Sequence, residues 1–83
     1  MSDVAEAVVQ MIADEMDVPR ADLPTDVPLR ELGIDSITLF SFQITIEERF
    51  GIVIPDEQFL KIRTIDDLVA FIRADYPGVV PAT

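Results

Sequence analysis

The sequence predicts an all-α fold, a small four-helix bundle with three longer helices, one short helix and a long first loop. Three observations predict it. Apolar residues recur at steps of three and four in three separate stretches, the spacing of a helix with one buried face. Proline and glycine stand between those stretches and not inside them. The chain of 83 residues is 49% hydrophobic and 27% charged, a balance that folds but leaves material for only one modest core. The expected organisation is one domain over residues 1–83, with its core at about 3–75 and a loose tail at 76–83. Met1 fits a free-standing chain.

The first helix is expected to start at Asp3, an N-cap residue with Glu6 three positions on, the spacing of a capping box. Val4, Val8, Ile12 and Met16 then form its apolar stripe, with Ala5 and Val9 beside it and Gln10, Asp14 and Glu15 away from it. Pro19 closes the region. Asp17 to Asp35 is a long connection holding Pro19, Pro24 and Pro28. Connections of this length without structure of their own are uncommon in compact domains and are often functional. Val18, Leu23, Leu29, Leu32 and Ile34 are expected to pin it across the helices, and Pro28 to Leu32 fits one helical turn ended by Gly33.

Asp35 to Gly51 has two readings on pattern alone. Phe40 to Glu47 alternates apolar and polar as a half-buried strand does, and Ile44, Thr45 and Ile46 are β-branched. No turn signal interrupts the segment, however, which is too long for a typical strand. Asp35 suits an N-cap, Gly51 a C′ position, and Arg49 the last turn, where the helix dipole favours a cation. These signals select a helix with two apolar stripes. Leu39, Phe42, Ile46 and Phe50 are expected in the core; Ile37, Phe40 and Ile44, continuing into Glu47 and Glu48, form a second stripe that ends in charge.

Ile52 to Pro55 reads as a short extended connector, and Pro55-Asp56-Glu57 as the start of a short helix carrying Phe59, Leu60 and Ile62. Thr64 with Asp67 repeats the capping spacing, and Ile65, Leu68, Val69 and Ile72 give the stripe of a last helix ended by Pro77-Gly78.

Composition removes several function classes. There is no cysteine and no histidine, so disulfides, thiolate metal sites and the commonest general base are all absent. Sixteen acids against six bases give a net charge of −10, which disfavours nucleic acid and favours a protein with a basic docking patch. No stretch approaches the length of a bilayer span and the N-terminus is acidic, so no membrane association and a cytoplasmic location are expected. An EF-hand is disfavoured because Asp14-Glu15-Met16-Asp17 lacks the loop spacing and its glycine. An enzyme is disfavoured because the serines have no base to pair with.

One constellation carries chemistry. Ser36 stands in the first turn of the second long helix, directly after its cap, where unpaired N–H groups and the helix dipole favour a phosphate. Leu32-Gly33-Ile34-Asp35-Ser36-Ile37 resembles the LGxDSL signature of acyl carrier proteins. Glu47 to Glu57 and Lys61 to Leu68 resemble that family's passages from helix II into helix III and from there into helix IV. The resemblance covers roughly residues 3–75 and selects the helical reading of the ambiguous segment.

The resemblance implies an acyl-carrier-like four-helix bundle that is not an enzyme. It implies a 4′-phosphopantetheine arm attached covalently to Ser36, with Asp35 as cap and as a contact for the modifying enzyme or its metal ion. The partners implied are a phosphopantetheinyl transferase, an acyl-loading enzyme, and a ketosynthase or other synthase components, acting on a monomer. By position, Ile37, Phe40, Ile44, Glu47 and Glu48 are the implied docking face. Fatty-acid carriers tend to place acids where this chain has Thr38 and Ser41, which points to polyketide or related natural-product assembly. A fatty-acid carrier and a peptidyl carrier are the alternatives, the latter usually having a second glycine in place of Ile34. From another class, an acidic helical adaptor without modification would also fit the composition.

Overall fold

The structure, a computed structural model, describes residues 4–78. Four α-helices follow in order: α1 (Val4–Met16), α2 (Ser36–Phe50), α3 (Asp56–Phe59) and α4 (Ile65–Asp75). There is no strand among the described residues. The expected four-helix architecture with a long first loop is therefore observed. The Asp3 cap and the tail from Val79 lie outside the described residues.

The helices bury their apolar faces against one another. α1 contributes Val4, Val8, Met11, Ile12 and Ala13, and packs on α4, which contributes Ile65, Leu68, Val69 and Ile72. α2 contributes Phe42, Ile46 and Phe50. Met16 and Leu39, expected in the core, are only partly buried at its edge. Leu60, expected on the short helix, lies just past its end at Phe59 and is 83% exposed, while Phe59 and Ile62 are the buried positions of this segment.

The helix ends follow local chemistry. α1 stops at Asp17, before Pro19 is reached: Asp17 takes a left-handed φ of 56°, and Val18 N–H donates to the Ala13 carbonyl at 3.0 Å. This is a Schellman closure with aspartate where glycine is commoner. α2 ends in the same way at Gly51 (φ 65°), with Ile52 N–H donating to the Glu47 carbonyl at 3.1 Å. α4 begins with a reciprocal capping box. Asp67 N–H donates to Thr64 Oγ1 at 3.0 Å, and Thr64 N–H donates to Asp67 Oδ2 at 3.2 Å.

The long first loop is held at defined points. It contains a 3₁₀ turn at Arg20–Asp22, which the sequence did not signal, and the expected turn at Leu29–Leu32, ended by Gly33 at φ 82°. Leu23, Leu29 and Ile34 are buried, and Val18 and Leu32 pack at the core's edge. Two backbone bonds tie the loop to the entry of α4: Leu29 N–H to the Arg63 carbonyl at 2.8 Å just before the helix, and Asp66 N–H to the Thr25 carbonyl at 3.0 Å in its first turn. Ile34 N–H also bonds the Leu29 carbonyl at 3.4 Å. Together these bonds hold the loop against α4 and deliver the chain to the start of α2.

Candidate functional site

Asp35 is the N-cap of α2. Its backbone is extended, and its Oδ1 accepts from Thr38 N–H at 2.8 Å, satisfying one of the donors a helix start leaves open. The Thr38 N–H, and after it the Thr38 hydroxyl, hold the Asp35 carboxyl below the ordinary value of 3.8. Asp35 is therefore an anion and a poor base at neutral pH.

Ser36 follows as the first helical residue and is exposed. Its hydroxyl has no partner among the described residues, so it is accessible to a reagent from solvent. Beside it opens a groove of about 430 Å³. Leu29, Ile34, Leu39 and Ile62 give this groove apolar walls, and Arg30 and Arg63 are the two basic residues that line it.

Along α2 the second stripe faces outward. Ile37 is 82% exposed, Phe40 55% and Ile44 42%. Glu48 is exposed with them. Glu47 is half-buried, and its Oε2 accepts from Ile54 N–H at 2.7 Å, so this carboxylate also holds the connector after α2.

Sequence reasoning missed two side chains that set the far end of α2. Gln43 is buried, and its Nε2 donates to the Ile54 carbonyl and to Asp56 Oδ1, each at 3.0 Å. Tyr76, assigned to the tail, donates through its hydroxyl to the Val53 carbonyl at 2.7 Å and accepts from Val53 N–H at 3.3 Å. With Glu47, these residues satisfy the backbone of an extended segment that has no strand partner. Their partners lie 7 to 23 residues away in sequence, beyond the reach of any local pattern. Val53 and Leu60 are further exposed apolar residues outside the expected docking set.

Residues 6–72 match the family described as the phosphopantetheine attachment site. The chain belongs to the acyl carrier protein family. Among its relatives, it is 35% identical over 72 residues to the acyl carrier protein of Tropheryma whipplei (strain Twist), covering 86% of this chain and 88% of that one. It is 32% identical over 74 residues to the acyl carrier protein of Helicobacter hepaticus, covering 88% and 97%. The acyl carrier protein of Rickettsia bellii is 30% identical over 74 residues, covering 88% and 91%.

As a member of this family the chain is a carrier and not an enzyme, and its cofactor is a covalently attached 4′-phosphopantetheine. The residues at the start of α2 fit that group: an unbonded, exposed hydroxyl, a helix N-terminus suited to a phosphodiester, and two arginines lining the adjoining groove. When bound, the arm supplies the thiol that this chain lacks. No helix of the described residues is long and apolar enough to cross a membrane.

Proposed function

We propose that Ser36 is the attachment residue, and that the protein holds acyl intermediates as thioesters on the arm and presents them to partner enzymes. The observation that carries this reading is the exposed, unbonded Ser36 hydroxyl at the capped start of α2. In the modification step Ser36 Oγ forms a bond to the coenzyme A phosphorus nearer the pantetheine. The bond from that phosphorus to the adenosine bisphosphate breaks. The hydroxyl proton passes to the phosphopantetheinyl transferase, because Asp35 is a poor base and its carboxylate already accepts from Thr38 N–H.

The docking face is Ile37, Phe40, Ile44 and Glu48 with the half-buried Glu47. Its centre is apolar and its charge lies toward the C-terminal end of α2, so partner choice rests more on contact than on long-range steering. Thr38 and Ser41 keep acids off the first half of this face. That pattern suits a dedicated polyketide or related natural-product synthase, with an acyl-loading enzyme and a ketosynthase as partners. The chain acts as a monomeric single domain in the cytoplasm.

Incubation with coenzyme A and a promiscuous transferase, read by intact mass, tests the assignment. One phosphopantetheine adduct is expected on the native chain and none on Ser36→Ala, whose helical circular dichroism stays native. An unmodified native chain would leave an acidic adaptor as the reading. A modified chain extended by fatty-acid synthase components in preference to polyketide ones would reassign the pathway alone.

A further inference from the structure

The groove beside Ser36 concentrates positive charge in a strongly acidic chain. Arg30 and Arg63 are two of only six basic residues set against sixteen acids, yet both line this groove. Neither guanidinium has a partner among the described residues, whereas Arg20 lies 4.0 Å from Glu6. Their placement is built by the backbone. The Leu29 N–H bond to the Arg63 carbonyl holds the two arginine-bearing segments side by side, and the Ile34 N–H bond to the Leu29 carbonyl ties them to the residues that lead into α2. Asp35 also lines the groove as an anion, its carboxylate accepting from Thr38 N–H, so the groove sets two basic residues against one carboxylate.

We infer that Arg30 and Arg63 form an anion subsite beside Ser36 that takes the phosphodiester of the attached arm. The inference rests on Ser36 being the attachment residue. A phosphodiester on Ser36 Oγ is bonded directly to a residue of the groove wall, and guanidinium forks suit phosphate oxygens. The subsite holds the base of the arm against the groove, over the apolar walls made by Leu29, Ile34, Leu39 and Ile62, instead of leaving it to sweep freely. An anion carried further along the arm, such as a cargo carboxylate, shares the same recognition chemistry.

The test uses the full chain labelled with ¹⁵N at arginine. It is studied unmodified, with the free-thiol arm, with an acetyl arm and with a malonyl arm, each confirmed by intact mass. The expected result is a shift of the Arg30 and Arg63 Nε–Hε resonances on gaining the free-thiol arm, with those of Arg20, Arg49 and Arg73 unmoved. The phosphorus resonance of the arm should move in Arg30→Gln/Arg63→Gln but not in Lys61→Gln, which removes the same kind of charge outside the groove. Shifts that occur with the malonyl arm alone would support the anion subsite with a carboxylate as its occupant, and would overturn the phosphodiester assignment. A modified chain whose arginine resonances stay put in every state overturns the subsite while leaving the carrier reading intact. Failure of the mass to increase at all overturns both.

Discussion

Phe40 and Phe42 stand two residues apart on α2 and offer a direct contrast between its faces. Phe42 is 1% exposed and Phe40 is 55% exposed. Truncating a buried phenylalanine costs about 3–5 kcal/mol through lost transfer energy and the cavity left behind. For a domain of this size, even the lower figure lowers Tm by at least about 12 °C. It is also a large share of a total stability of about 5–15 kcal/mol. Phe40 buries under half of its surface, so Phe40→Ala forfeits about 1 kcal/mol. Its larger effect should fall on partner turnover: kcat/KM of a loading or condensing partner is expected to drop about tenfold, equivalent to about 1.4 kcal/mol. Thermal unfolding by circular dichroism and steady-state turnover with the modified carrier measure the two effects separately. Equal losses of stability in the two variants would refute the two-faced reading of α2. A stable Phe40→Ala with native turnover would remove Phe40 from the docking face.

Three further predictions concern the supports of the site. Gln43→Leu leaves the buried Ile54 carbonyl without its donor and is expected to cost about 1–3 kcal/mol in urea unfolding; an unchanged midpoint would show that the clamp contributes nothing. Thr64→Ala removes the acceptor of the α4 capping box and should cost about 1 kcal/mol, read in the same way. The lowered Asp35 pKa has a definite sign: its contribution is complete above the unfolded value near 3.8 and is lost as pH falls through the lower folded value. The Thr38 amide resonance should therefore titrate below pH 3.8 in the native chain and not in Asp35→Asn, and a transition above that value would contradict the cap.

Much of the fold was legible because its signals are local. The caps at Asp35 and Thr64, and the left-handed glycines Gly33 and Gly51, each act within a few residues. The strand-like alternation of Phe40 to Glu47 has a simple origin. Positions two apart on a helix lie on nearly opposite sides, so Phe42 and Ile46 turn inward while Phe40 and Ile44 turn outward. Alternation here records two faces of one helix. Other features depend on tertiary partners and left no local trace. Gln43 and Tyr76 read as ordinary polar positions until the connector at Val53 and Ile54 is folded against them. Arg30 and Arg63 lie 33 residues apart and line one groove once backbone bonds such as Leu29 N–H to the Arg63 carbonyl join their segments. The Asp17 closure was hidden because Pro19, two residues on, is the stronger stop signal by composition, although the aspartate ends the helix first.

The sequence contains three serines, Ser2, Ser36 and Ser41, so attachment can be located and not only detected. Fragment mass analysis of the chain after enzymatic modification should place every phosphopantetheine group on Ser36. Finding the group on Ser2 or Ser41, with Ser36 left as a free hydroxyl, would contradict the assignment on which the proposed carrier chemistry stands.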